Sequence, residues 1–476
     1  MKLLKSGVCR QFYATIAASM SIFISGMWLG WPSSASDKFM KHETDIDISY
    51  AELSWVVCMM DLGNSISPLF AGYLMDKIGR KRTIAVLGPL FIVSWSLPLF
   101  VSTAWALYLA RLMGGMGKGM SYTVVPVFLG EIADVNIRGA LGTVFTVQLS
   151  SGVLFEVIVG PHVSYRTLNA VSAVVPVLFA VMFVCVPESP YYLLKKGRRE
   201  DAGVALRWYR GHREGGVDAE LRMMETNVRK DMENRSTFRE LFTNRKNFSA
   251  LMVVVTACVA QRAGGISSLT AYSALILPEP APIIGKFDYI MVFCIVLVVV
   301  NFVGMALVDR VGRKPLLLVS ELSLGVIIAL FGLYYYLAAR GVDVSAYTFW
   351  PYACHQMFSV MFGIGIGFIP VVYLGEMFPV NIRSHCSAIA SVTLATSSFV
   401  SNKMFLLVSN AYGYHIMFWG FAAVNFICAG FAYRYAIETT GKTFLEIQET
   451  LERSVARGTS SEAKIKATTK QLNDLL

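Results

Sequence analysis

Charge is scarce in this chain. Only 16% of its 476 residues are Asp, Glu, Lys or Arg, against roughly 25% in ordinary soluble domains, which excludes a solvated globular surface over most of its length. Histidine is rarer still, with six residues. No HExxH, no phosphate-cradling glycine loop and no nucleophile motif occurs, so nothing argues for an enzyme, and no cofactor or metal is called for. The eight cysteines (Cys9, Cys58, Cys185, Cys258, Cys294, Cys354, Cys386, Cys428) show neither metal-ligand nor redox spacing, and no disulfide framework is expected.

Apolar residues fill the space that charge leaves. They make up 55% of the chain, and the mean hydropathy is +0.54. A bilayer core about 30 Å thick takes about 20 apolar residues per spanning helix. Stretches that qualify begin near Phe12, Ala51, Thr83, Ala104, Gly139 and Leu168, and again near Asn247, Phe287, Pro315, Tyr347, Ser384 and Gly413. The first is too long for a cleaved signal and lacks a small-residue cleavage site. The expected fold class is an all-α membrane protein with twelve transmembrane helices.

Lysine and arginine set the orientation, because short cytoplasmic loops hold their excess. The turns at Asp76 to Arg82 and Asp309 to Lys314 are basic, and residues 188–246 carry 14 Lys and Arg against 10 Asp and Glu. The stretch from Ser33 to Tyr50 is acidic, with Asp37, Glu43, Asp45 and Asp47 against Lys38 and Lys41. Both termini and the central segment are expected in the cytoplasm, in the plasma membrane. The net charge of +10 follows from the same rule and requires no nucleic-acid partner. Domain boundaries are expected at 1–187 for a first bundle, 188–246 for a cytoplasmic linker with amphipathic helices, 247–438 for a second bundle and 439–476 for a cytoplasmic tail. The partners called for are a lipid bilayer and a small solute, and a monomer is sufficient.

Two charged signatures occur twice. Asp76-Lys-Ile-Gly79-Arg80 recurs as Asp309-Arg-Val-Gly312-Arg313, and Glu131 with Arg138 recurs as Glu376 with Arg383, seven residues apart both times. A membrane protein of two matching halves suits rocking of one half against the other around a central cargo. Gly72 and Gly79 would permit close approach of a neighbouring backbone. The charged residues are expected to pair when the ends of the two bundles meet, as a latch on the outward-open state; such exposed pairs contribute only about 0–1 kcal/mol each. The alternative is that they merely set topology.

Together with Pro187-Glu188-Ser189-Pro190 and Glu438-Thr439-Thr440-Gly441-Lys442, these motifs resemble the sugar porters of the major facilitator superfamily over roughly residues 10 to 450. The run Gly26-Met-Trp-Leu-Gly30-Trp31 is most similar to the insect facilitated trehalose transporter group. The resemblance implies two pseudo-symmetric six-helix bundles joined by intracellular helices, with facilitated alternating-access transport of a sugar of the trehalose or hexose class. The alternatives are a non-sugar or anionic solute, and a receptor-like homologue that binds without transporting.

Sugar sites of that family use amides and an aromatic platform, and here much of the set differs. Where helix seven normally reads Gln-Gln-x-Ser-Gly-x-Asn, this chain has Gln261, Arg262 and Ser267, with Tyr272 matching a later tyrosine. Thr146 takes the helix-five glutamine position, Gln148 lies about 200° round that helix, and Val371 stands where the family has tryptophan. Candidate cargo contacts are therefore Gln261, Arg262, Ser267, Thr146, Gln148 and Tyr272.

Charges inside membrane helices are costly and mark functional candidates: Asp61, Lys118 and Glu156 join Arg262 in this class. Asp61 and Lys118 lie at similar heights and are expected to pair within one bundle. Arg262 has three readings open: binding a carboxylate or phosphate on the cargo, pairing with Glu156 as an outer gate, or snorkelling to the interface. Helix one has no carboxylate between Phe12 and Trp31, which favours facilitated diffusion over proton symport. Cysteines placed at Asp76 and Asp309 are expected to react with an impermeant thiol reagent from one face of the membrane, and a cysteine at Glu43 from the other. Reaction of the first two from opposite faces would refute the two-half reading.

Overall fold

The computed structural model describes residues 7–134, 137–211, 217–233, 239–378, 380–442 and 446–452. The side chain of Arg138 and the tail beyond residue 452 lie outside the described residues. The first half contains α1 (Gly7–Met40), α2 (Tyr50–Lys77), α3 (Arg80–Phe100), α4 (Ala104–Ile132), α5 (Arg138–Val159) and α6 (Tyr165–Val184). Four short helices follow: α7 (Pro190–Lys195), α8 (Arg199–Arg210), α9 (Val217–Glu233) and α10 (Glu240–Thr243). The second half contains α11 (Arg245–Ala263) continued by α12 (Ile266–Ile276), α13 (Lys286–Val311), α14 (Arg313–Ala339), α15 (Phe349–Ile364) continued by α16 (Ile369–Glu376), α17 (Val380–Tyr412) and α18 (Tyr414–Tyr435). Counting the two broken helices as one span each, twelve spans form two six-helix bundles, as the sequence implies.

Nine of these spans are long and apolar enough to cross a membrane by length and composition alone. The other three are α2, α4 and α17, of 28, 29 and 33 residues, which carry Asp61, Arg111 with Lys118, and Lys403. Their polarity fits their position, since α2 packs on α4 within its half and on α17 across the halves. Among the described residues, α1 also packs on α12 and α5 on α13 across the halves. Peripheral helices show the opposite pattern. Val171, Val174, Val177, Leu178, Val181 and Val184 form an exposed apolar stripe along α6, at a spacing that only a lipid solvent tolerates.

Helix pairs within a half approach at glycine. A Cβ on Gly115 of α4 would lie 2.0 Å from the Met60 carbonyl oxygen of α2, and one on Gly63 would lie 2.2 Å from the Leu112 carbonyl oxygen. The glycines of the Gly26-Met-Trp-Leu-Gly30-Trp31 run do the same against α5, where Gly26 faces the Leu149 carbonyl and Gly30 the Val153 carbonyl. Its tryptophans pack elsewhere: Trp28 stacks on Trp95 at 3.9 Å, and Trp31 Nε1 donates to Asn169 Oδ1 at 3.0 Å. Gly72 differs from expectation, because it faces open space rather than a neighbouring backbone.

Two spans are broken. The α11–α12 junction turns at Gly265, with φ +118°, and the α15–α16 junction unwinds between Gly365 and Phe368. Carbonyls freed at membrane depth need donors from the protein. Gln261 supplies them, its Nε2 donating to the carbonyls of Ile366 at 2.9 Å and Gly367 at 2.7 Å, while Asn425 Nδ2 donates to the Gly264 carbonyl at 3.0 Å. One broken helix is thus fastened to the other. Gly115→Leu is expected to destabilise the protein in detergent by at least about 1–3 kcal/mol through overpacking, whereas Gly430→Leu, with open space around it, is expected to leave the melting temperature unchanged.

Candidate functional site

The duplicated motifs build two matching clamps on the basic rim. Gly79 turns with φ +103° just before α3, and a Cβ there would lie 2.2 Å from Glu188 Oε2. Glu188 Oε1 accepts from the Lys81 amide at 2.9 Å, so a carboxylate sits on the opening turn of the helix, where N–H groups lack partners and favour negative charge. Arg80 then pairs with Glu131 at 2.8 Å and Asp76 at 3.5 Å, Lys195 reaches Asp76 at 2.9 Å, and Ser189 Oγ donates to Glu131. The second half repeats the pattern. Gly312 has φ +104°, Glu438 accepts from the Arg313 and Lys314 amides at 3.0 Å each, Arg313 pairs with Glu376 at 2.8 Å and Asp309 at 2.7 Å, and Thr439 Oγ1 donates to Glu376 at 2.6 Å. Arg383 Nη2 donates to the Phe378 carbonyl at 3.2 Å. Burial pushes the Glu438 carboxyl up, but hydrogen bonds from Thr440 and the Arg313 and Lys314 amides outweigh it and hold the group below the ordinary glutamate range.

This corrects the expected latch. Among the described residues, none of the bonds just named joins one half to the other: each ties a bundle to itself or to the segment that follows it.

Bonds between the halves lie toward the acidic rim. Asp61 Oδ2 on α2 accepts from Ser398 Oγ at 2.9 Å and Asn402 Nδ2 at 3.0 Å on α17. About two turns further out along α2, Lys403 Nζ donates to Ser54 Oγ at 2.8 Å and lies 3.8 Å from the Trp55 ring centre. Beyond them, a four-charge cluster joins the end of α1 and the start of α13 with the loops beside them: Asp37 contacts Lys41 at 2.9 Å and Lys286 at 3.3 Å, and Glu279 contacts Lys286 at 2.5 Å and Lys41 at 4.0 Å. The hydrogen bond from Lys286 holds Glu279 below its ordinary range, and the bond to Asp37 raises Lys41.

On the basic side of this seal lies a recess of about 460 Å³ of open space, lined by α2, α4, α11 and α17. Asp61, Lys118 and Arg262 all face it. The expected Asp61–Lys118 ion pair is not formed among the described residues, because Asp61 is taken by α17, and the Lys118 Nζ lies 5.7 Å from the Tyr122 ring centre. The Arg262–Glu156 gate is not formed either. Glu156 is fully buried inside the first half, with Ser172 Oγ donating to its Oε1 at 2.7 Å.

The other candidates divide. Gln261 spends its amide N–H groups on the α15–α16 break. Tyr272 is fully buried, stacked on Phe405 at 5.5 Å, with its hydroxyl 3.4 Å from the Asn402 carbonyl. Ser267 is buried with no hydrogen-bond partner among the described residues. Thr146 and Gln148 are half-buried on α5 and do not line the recess.

Three buried charges in the middle of spans escaped the sequence reading. Arg111 donates to the carbonyls of Val56 and Val57 on α2 and Trp28 on α1, with Trp28 and Trp31 flanking it. Glu321 on α14 is fully buried, and neither carboxyl oxygen has a partner among the described residues. Lys403 is the third. All stand inside apolar stretches, the signal that picked out Lys118.

Two helical halves enclosing a recess, bonded together on one side of it and separately clamped on the other, define a multi-pass membrane carrier rather than an enzyme. A family model described as "Sugar (and other) transporter" matches residues 12–451, so the chain belongs to that family and is a sugar-porter-type transporter. It is 29% identical over 454 residues to the facilitated trehalose transporter Tret1 of Polypedilum vanderplanki, covering 94% of this chain and 90% of that protein. It is also 29% identical over 461 residues to Tret1 of Drosophila erecta, covering 95% of this chain and 54% of that protein. Among solved structures, the xylose transporter XylE from E. coli in its inward open conformation aligns with a TM-score of 0.75 at 19% identity, over 92% of this chain and 99% of that one.

Weak cross-half pairs should tune which side is open. Lys286→Ala is expected to raise labelling of a cysteine beneath the cluster from the acidic side by about two- to fivefold, the equivalent of about 0.5–1 kcal/mol. Because the Glu279 pKa is depressed, its contribution is full at neutral pH and is lost only as pH falls through that lowered value. Labelling is therefore expected to stay flat at mildly acidic pH and rise only below the ordinary carboxylate range.

Proposed function

We propose that the protein carries a sugar of the trehalose or hexose class down its gradient by alternating access, in the plasma membrane, with the basic rim and both termini in the cytoplasm. One observation carries the reading: the recess between the halves is sealed on the acidic side by α2–α17 bonds while the clamps on the basic side stay within each half. That is the geometry of a carrier closed to the outside and accessible from the cytoplasm. The trehalose-transporter relatives support the substrate class, and the basic turns support the sidedness.

The cargo contacts follow from the same arrangement. Asp61, Lys118 and Arg262 face the cargo directly. Gln261 retains its carbonyl oxygen for a hydroxyl, and Ser267 lies just past the break on α12. The conformational switch requires breaking the Asp61, Lys403 and Asp37–Lys286 contacts, while the clamps around Arg80 and Arg313 persist. A carrier of this kind needs no titrating carboxylate in its cycle.

Purified protein in proteoliposomes is expected to show saturable uptake of labelled trehalose or glucose, with counterflow, at equal rates with and without an imposed pH gradient. A rate that follows the gradient would overturn facilitated transport. Absence of any sugar uptake by folded protein would replace the transport reading with the receptor-like one.

A further inference from the structure

We infer that the recess selects, among sugars, those that carry one acidic group, a carboxylate or a phosphate, and that Arg262 is the residue that recognises it. This rests on the sugar-carrier reading above and narrows its substrate class.

The argument begins with charge balance. Among the described residues, three charged side chains face the recess: Asp61, Lys118 and Arg262. Asp61 and Lys118 sit on α2 and α4 of the same half, both buried at 5% and 4% exposure, and their opposite charges offset each other without contact. Asp61 is further satisfied by Ser398 and Asn402. Arg262 stands opposite, on α11, half-buried. Among the described residues it makes no ion pair, and Glu156, the carboxylate at comparable depth, is enclosed in the other half against Ser172.

The recess therefore holds one cation in excess, in surroundings where an uncompensated charge is costly and a fixed charge projects a strong field. An anionic group on the cargo completes the set. The guanidinium suits it, because its planar fork matches a carboxylate or phosphate with two parallel hydrogen bonds.

The remaining lining fits the sugar part of such a molecule. Asn64, Thr123 and Ser391 offer donors and acceptors for hydroxyls, and Tyr122 offers an aromatic ring. Arg262 also takes the place where the family resemblance expects a glutamine. An amide there would pair with a neutral hydroxyl, whereas the guanidinium carries a full charge and has no acceptor. The substitution changes the chemistry from hydroxyl recognition to anion recognition at one point of the site.

The test measures wild-type protein in detergent and in proteoliposomes with four probes: glucuronate, glucose 6-phosphate, glucose and trehalose. Binding is read by thermal shift and transport by competition against whichever probe is taken up. One acidic probe is expected to bind about ten- to a hundredfold more tightly than glucose, the range of a charge-assisted pair, and the preference should weaken as salt is raised. Whichever of glucuronate and glucose 6-phosphate wins identifies the group as carboxylate or phosphate.

Arg262→Gln is expected to collapse the acidic-to-neutral ratio, with Arg262→Lys, which keeps the charge without the fork, falling between. Equal or weaker binding of both acidic probes relative to glucose overturns the inference, as does an Arg262→Gln protein that keeps the ratio. Should that variant not fold, the wild-type comparison and its salt dependence decide alone. Binding of an acidic sugar without uptake of any probe would sustain this inference and overturn the carrier reading, so the two fail separately.

Discussion

Each half of this molecule is held at its basic rim by a carboxylate seated on the first turn of a membrane helix, Glu188 on α3 and Glu438 on α14. The interaction is local, but much follows from it. The first amides of a helix have no partners of their own, and at a membrane boundary they cannot all rely on water. A carboxylate there meets several of them and complements the helix dipole. It also dictates the preceding residue, since only glycine fits both the positive φ and the space that the carboxylate occupies. With that turn set, Arg80 and Arg313 are aimed inward at Glu131 and Glu376, and each rim becomes a closed network.

The difference between bonds within a half and bonds between halves gives the molecule its mechanics. Within a half, helices touch backbone to backbone at glycine, Arg111 bridges three carbonyls, and Gln261 fastens one broken helix to another. Removing such partners would strand buried polar groups, at about 1–3 kcal/mol each. Between the halves there are a few hydrogen bonds to Asp61, one lysine over a tryptophan, and a partly exposed charge cluster. These contribute less individually and leave water accessible to the groups when broken. Two stiff bodies with a weak, polar seam favour movement along the seam.

The seam also explains why three spans are more polar than the other nine. Helices α2, α4 and α17 spend much of their surface on other helices and on the recess, so they escape the selection for apolar side chains that lipid imposes on α6 and α13. Their polar residues sit at i, i+4 spacing, Ser54 with Cys58 and Ser398 with Asn402, which aligns them into one face across the seam. The bonds that join the halves, and most of the residues lining the recess, lie where the membrane signal is weakest.

Much was legible from residue order alone. Span starts fell within a few residues of the helices, because about 20 apolar residues between charged turns leave little choice. The duplicated motifs revealed two halves, since identical local chemistry recurs wherever the same helix turn must be capped. Partners were another matter. Height along a helix placed Asp61 near Lys118 and Glu156 near Arg262, but height carries no information about azimuth between different helices or about which state of the seam is closed. Tertiary packing decided that Asp61 turns to α17, that Glu156 faces Ser172 inside its own bundle, that the clamps close within halves, and that Arg262 is left facing an open recess. The sequence by itself determined how many spans there are and roughly where each begins, because lipid enforces that on every span separately. Only the folded arrangement decided which charges meet, because that depends on helices hundreds of residues apart.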